Sequence, residues 1–251
     1  MGIGIILSPN VLERIETKNQ TKIIKEYKEK VSKSDEEKLK KEYEKAKKYN
    51  DNLKGENTEH KKYEEILNVF ENGIMSYIEI PKVSIYLPIY HGTENEVLKK
   101  GVGHLKNTSL PIGGDSVHTV LTGHTGFIKS KLFTRINELE IGDIINIYTL
   151  EKRLTYKVYD IKIVLPEETK DLQIEENEDL LTLVTCTPYG VNTHRLLVKS
   201  KRIENIEKNN LEENTEKERK KVKKNYTIII LVSVFCCILL NKIVKYLRKE
   251  R

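Results

Sequence analysis

From Ile74 to Ile203 the chain is built of short runs rich in Ile, Val, Tyr and Thr, separated by Gly, Pro and Asn turns. That texture belongs to an all-β barrel or sandwich, because β-branched and aromatic residues suit a pleated surface and the turn residues close each run. The pattern predicts strands near 76–80, 84–89, 117–123, 143–149, 154–165, 180–186 and 195–203. A short helix is expected over 94–99 and another over 130–138. The runs Ile144–Thr149 and Leu154–Val164 form a hairpin around Glu151-Lys152-Arg153.

Ahead of this region the texture is different. Ile15, Ile23, Ile24, Tyr27 and Val31 keep a helical spacing among Lys and Glu. Ser34-Asp35-Glu36-Glu37 reads as a capping box for a second helix, which carries Leu39, Tyr43, Ala46 and Tyr49 on one face. The stripe is too short for sustained heptads. Residues 51–62 are polar and expected to form a loop.

The charge distribution bears on location. The chain carries a formal net charge of +6, yet its body is near neutral and the excess lies in 199–224 and 241–251. A nucleic-acid protein would carry its basic patch on the folded domain, so nucleic acid is not an expected partner. Between the two basic segments, Tyr226–Leu240 holds no charge. With Asn241–Val244 it approaches the ~20 residues that cross a bilayer, and Lys242 can snorkel to the headgroups. A buried core helix would not normally be bracketed by KERKKVKK and KYLRKER. The expected organisation is therefore a charged linker at 204–224, a transmembrane helix at 225–244 and a basic tail at 245–251.

Residues 1–10 include an apolar stretch, Gly2–Leu7, that Ser8, Pro9 and Asn10 interrupt. It is too short for a membrane span or a signal-peptide core, and Ile6 breaks the myristoylation pattern. It reads as a frayed start or the remnant of an N-terminal membrane anchor. Of the three cysteines, Cys236 and Cys237 fall in the apolar segment, which leaves Cys186 as the one thiol of the expected soluble part. A lone cysteine is often just a small buried hydrophobe; outside a membrane it is also a candidate nucleophile.

The surroundings of Cys186 favour the second role. It closes the run Leu180–Thr185, and Pro188 and Gly190 end that strand at once, which places the thiol at an open rim. Nine residues on, Arg195 begins the next strand. If the two strands pair, its cation faces the thiol, where it would lower the thiol pKa or hold an oxyanion. A proton carrier is also needed, normally histidine. Six are present. His124 leads because it follows a strand and is held between Gly123 and Thr125-Gly126. His194, beside Arg195, comes second. His60 and His118 read as structural.

The segment Thr182-Leu183-Val184-Thr185-Cys186 resembles the Thr-Leu-x-Thr-Cys signature of sortases. Gly123-His124 and Arg195 resemble their histidine motif and arginine. Gly103-His104-Leu105, Thr108-Ser109-Leu110-Pro111, Ile80-Pro81-Lys82, Cys186-Thr187-Pro188-Tyr189-Gly190 and Asn192-Thr193-His194-Arg195 are similar to class C members, which polymerise pilins. The resemblance implies a mainly β fold: an eight-stranded barrel over 74–203 with a helical N-terminal region and lid-equivalent loop over 11–73. It implies that Cys186 attacks the Thr–Gly carbonyl of a Leu-Pro-x-Thr-Gly-like sorting signal. His124 would then protonate the leaving amine, and Arg195 would steady the tetrahedral intermediate or the substrate. A pilin lysine or a cell-wall precursor would resolve the thioester. No metal or organic cofactor is required by this chemistry. The implied location is the cell membrane, with the catalytic domain outside.

Two departures stand against that pattern. No Asp-Pro-aromatic tripeptide, the usual class C lid, occurs between Asn50 and Ile74, so Cys186 is expected to be open to small alkylating reagents. The usual N-terminal anchor is missing or truncated, while a C-terminal one argues against the housekeeping class. The alternatives are a housekeeping-type sortase that attaches surface proteins to the cell wall, a cysteine peptidase that releases acid to water, and a membrane-anchored scaffold with a decayed site.

Overall fold

The computed structural model describes residues 9–53, 63–126 and 131–203. Residues 1–8 of the expected anchor remnant, most of the lid-equivalent loop, and the linker, transmembrane helix and tail lie outside them, while Pro9 and Asn10 open the first helix. Among the described residues no helix is long and apolar enough to cross a membrane.

Eight strands close into a barrel: β1 (Ile74–Ile80), β2 (Ile85–His91), β3 (Val102–His104), β4 (Val117–Thr122), β5 (Ile144–Thr149), β6 (Lys152–Val164), β7 (Asp179–Thr187) and β8 (His194–Arg202). Their order around the barrel is β1-β2-β3-β4-β7-β8-β6-β5. Two neighbouring pairs, β2–β3 and β4–β7, are parallel, and the others are antiparallel. Alternation follows from the pleat. Along β7, Leu181 and Leu183 are fully buried in the interior cluster with Ile145, Ile147 and Val198. Thr182 and Cys186 lie on the other side of the strand.

The sequence pattern missed β3. It is three residues long with Gly103 at its centre, so it carries no alternation to detect. Gly103 is needed there because a Cβ would run into the Gly92 carbonyl oxygen and the Leu98 side chain. The expected helix over 130–138 is corrected as well. Its described part is a series of turns ending in a 3₁₀ turn at Ile136–Glu138. The short helix near 94–99 appears as α3 (Asn95–Leu98). The β5–β6 hairpin turns at Leu150-Glu151, because Thr149 already pairs with Lys152.

Two helices precede the barrel, α1 (Pro9–Ser32) and α2 (Glu36–Leu53). The cap of α2 is Asp35 rather than the expected Ser34. The Asp35 carboxylate accepts the Glu37 N–H at 3.2 Å, while the Ser34 hydroxyl donates back to the Lys30 carbonyl at the end of α1. Both helices are tied to the barrel by buried polar contacts. The Tyr27 hydroxyl donates to the Met75 carbonyl and accepts the Leu150 N–H. Asn50 makes a two-way clamp on the Leu110 backbone, at 2.7 and 3.1 Å. Of the expected face of α1, Ile24, Tyr27 and Val31 are buried, whereas Ile15 stands exposed.

His104 sits at the centre of this junction. Its Nε2–H donates to the Ser109 carbonyl at 2.9 Å, and its Nδ1 accepts the Tyr63 hydroxyl at 2.8 Å. Complete burial, the largest cause, lowers its pKa to about 4 from 6.5. The unfolded chain therefore takes up a proton below pH ~6.5 that the fold refuses until about pH 4. Stability should fall as pH drops through that window, by up to ~3 kcal/mol for this group. Urea unfolding of the wild type and His104→Gln between pH 7.5 and 4.5 measures it. The variant, though less stable at neutral pH, should lose less stability on acidification.

Candidate active site

The parallel β4–β7 register runs Val120↔Thr182 and Thr122↔Val184, and the Gly123 N–H extends it by donating to the Val184 carbonyl at 3.2 Å. Carried two residues further, the same offset sets His124 beside Cys186. On the other side of β7, Cys186 pairs directly with Arg195 of β8. His124, Cys186 and Arg195 thus stand in one row across three adjacent strand ends. Cross-strand partners project to the same face of a sheet, so Cys186 and Arg195 share the outer face of the barrel.

Several contacts fix the His124 backbone. The Phe133 N–H donates to its carbonyl at 3.0 Å, and the buried Thr185 hydroxyl donates to the Gly123 carbonyl at 2.7 Å. Gly123 is required because a Cβ there would stand 2.7 Å from the fully buried Phe133 ring. The His124 ring is half-buried, and its Nε2 lies 3.4 Å from the Asn95 Oδ1. Partial burial, followed by the nearby Lys99 ammonium, holds its pKa below the usual histidine value. The imidazole is therefore neutral at pH 7 and able to accept a proton.

Cys186 is half-buried and not in a disulfide. Its strand continues one residue further than expected, to Thr187. The Arg195 guanidinium donates through Nη1 to the Asn192 and His194 carbonyls, at 3.2 and 3.1 Å. Those two bonds fix the plane of the group at the mouth of the β7–β8 loop.

The other histidines separate from this row. His194 pairs with Thr187, one step out of phase with Cys186, so its side chain projects to the opposite face. That removes the second choice for a proton carrier. His118 is fully buried near the far end of β4, between the Gln173 carbonyl and the Thr182 hydroxyl. His91 bonds the Ile66 carbonyl at 2.7 Å. His60 lies outside the described residues.

The segment connecting β6 to β7 roofs the inner part of this outer face. His118 holds Gln173, and the buried Lys199 ammonium pairs with Asp171 at 2.9 Å. His124, Cys186 and Arg195 are each partly exposed, and Tyr189 in the loop after β7 is 69% exposed. No cluster of His, Cys, Asp and Glu among the described residues is placed to hold a metal ion.

Fold and site together define a class: a closed β-barrel that presents a thiol at one rim, flanked by an imidazole and a guanidinium. Comparison with known proteins narrows the class. The sortase domain model matches residues 78–203. The structure of sortase C1 from Streptococcus agalactiae is 44% identical, with a TM-score of 0.70, over 73% of this chain and 99% of that one. Sortase C from Clostridium perfringens, solved with the C-terminal cell wall sorting motif, is 43% identical, with a TM-score of 0.66 and the same coverage. Sortase D from Bacillus subtilis is 33% identical over 129 residues, which span 50% of this chain and 62% of that protein. The chain belongs to the sortase family, whose members are cysteine transpeptidases.

Proposed function

We propose that this chain is a membrane-anchored transpeptidase of the class C, pilin-polymerising type. The observation that carries the reading is the single row of His124, Cys186 and Arg195 across β4, β7 and β8. Likeness to several sortase C structures at 38–44% identity supports the class.

The reaction follows from the chemistry of the row. His124 takes the proton of the Cys186 thiol, and the thiolate so formed attacks the Thr–Gly carbonyl carbon of a Leu-Pro-x-Thr-Gly-like signal. An S–C bond forms and the carbonyl oxygen takes the negative charge. Arg195, fixed by two loop carbonyls, offers its remaining N–H donors to that oxygen. The C–N bond then breaks, and the glycine amine leaves with a proton from His124. In the second half an amine attacks the thioester, His124 takes its proton, and the thiolate is released. A lysine of a pilin subunit as acceptor gives an isopeptide bond. The charged linker 204–224 and the apolar segment 225–244 tether the barrel outside the cell membrane, with 245–251 in the cytoplasm.

A housekeeping-type sortase and a hydrolytic peptidase form the same thioester and differ in what resolves it. The test is incubation of the full-length chain with a sorting-signal peptide and competing acceptors: a pilin-derived lysine peptide, a cell-wall precursor amine and water. Mass analysis should show the lysine-linked product in excess. Predominance of the precursor adduct would assign the housekeeping role, and free acid regardless of amine would assign a peptidase.

A further inference from the structure

We propose that Asn95 is a positioning residue for His124: its side-chain carbonyl takes the Nε2–H of the ring, selects that tautomer, and aims Nδ1 at the reacting centre. The proposal rests on the assignment of His124 as the proton carrier.

The geometry starts from α3. This helix is only four residues long, yet it is fixed at several points. Glu94 caps it in an extended conformation, and its carbonyl accepts the Val97 and Leu98 N–H groups at 2.9 and 3.1 Å. Leu98 packs where a side chain on Gly103 would otherwise stand. From outside the barrel, the Gln20 amide of α1 donates to the Lys100 carbonyl just past the helix. Asn95, the first helical residue, is exposed, and its Oδ1 lies 3.4 Å from the His124 Nε2. That separation is long for a hydrogen bond, as contacts of this kind often are before substrate closes the site.

A carbonyl oxygen can only accept, so the hydrogen must be on Nε2. Neutral imidazole carries a single ring proton, and Nδ1 is then the basic nitrogen. That nitrogen receives and returns the proton of the two half-reactions. The choice of an amide over a carboxylate has a consequence. Lys99, at the end of the same helix, is paired with Glu96 at 2.6 Å and acts on the ring as a cation. The Glu94 carboxylate lies against Gly92 and acts on Tyr63. In the row itself stand the Cys186 thiol and the Arg195 guanidinium. Asn95 therefore orients the ring without adding negative charge, and the imidazole stays neutral.

The experiment uses the ¹⁵N-labelled full-length chain in detergent, with Asn95→Ala and Asn95→Asp. Ring ¹⁵N shifts report tautomer and titration, and peptide transfer is followed against pH. The wild type should show His124 with the proton on Nε2. In Asn95→Ala the tautomers should mix, and kcat should fall roughly tenfold, part of the 10²–10⁴ that a positioned acid–base group supplies, with KM little changed. In Asn95→Asp the added carboxylate should raise the His124 pKa by about one unit or more, and the acid limb of the rate profile should move with it. A wild-type proton on Nδ1, or unchanged ring shifts and profiles in both variants, would overturn the proposal. His124→Asn keeps the two ideas apart: if it still transfers peptide, the role of His124 itself is wrong, whatever Asn95 does to the ring.

Discussion

Replacing Cys186 by alanine should reduce cleavage of a sorting-signal peptide by roughly 10³-fold or more and leave no measurable ligation, since a nucleophile cannot be replaced by its neighbours. The half-buried thiol contributes little to the core, so the circular dichroism spectrum and thermal midpoint should barely change. Two observations give the expectation its force. Cys186 stands on the outer face of β7, where its side chain is partly exposed. It also pairs with Arg195 and lies one ladder step from the hydrogen-bonded end of β4. A Cys186→Ala protein that still joined peptide to amine would remove the thiol from the mechanism.

The second large effect is expected at Arg195. A guanidinium is a rigid fork of donors, whereas lysine is a compact point charge on a flexible stem. Here Nη1 is held by the Asn192 and His194 carbonyls, an arrangement that fixes the direction of the remaining N–H groups. Arg195→Lys keeps the charge and loses that direction. If the group donates to the developing oxyanion, the loss should be on the order of 10²–10³ in rate, or roughly 3–4 kcal/mol. Alkylation of Cys186, measured across pH, should change little in the same variant. Equal losses in both assays would show that the arginine serves the thiolate instead, and near-normal cleavage would take it out of the site.

The sequence exposed the pairing of Cys186 with Arg195 because two continuous apolar runs flank a short loop that Pro188 and Gly190 close. Once those strands are antiparallel neighbours, the register leaves few choices. The place of His124 was visible for a related reason, since it follows a run with clear strand character and sits among glycines that only a tight loop requires. Other parts carried no local signal. β3 is three residues with a glycine at the centre, and it exists because β2 and β4 offer it edges on both sides. The roof over the outer face depends on His118 meeting Gln173 and Lys199 meeting Asp171, contacts across 55 and 28 residues. Asn95 is a polar residue in a four-residue helix, 29 positions ahead of the ring it touches. The exclusion of His194 needed the register itself, because adjacency to Arg195 in sequence places it on the opposite face. The shift of the α2 cap from Ser34 to Asp35 is of the same kind: the Ser34 hydroxyl is already committed to the end of α1.

The most direct measurement is the location of the acyl group. The full-length chain, mixed with excess sorting-signal peptide and quenched in acid, should gain the mass of the peptide cut after threonine. Tandem mass spectrometry should place that mass on Cys186, and addition of an amine before the quench should discharge it into an amide-linked product. Peptide cleavage with no adduct on Cys186, or with an adduct on another side chain, would contradict the account.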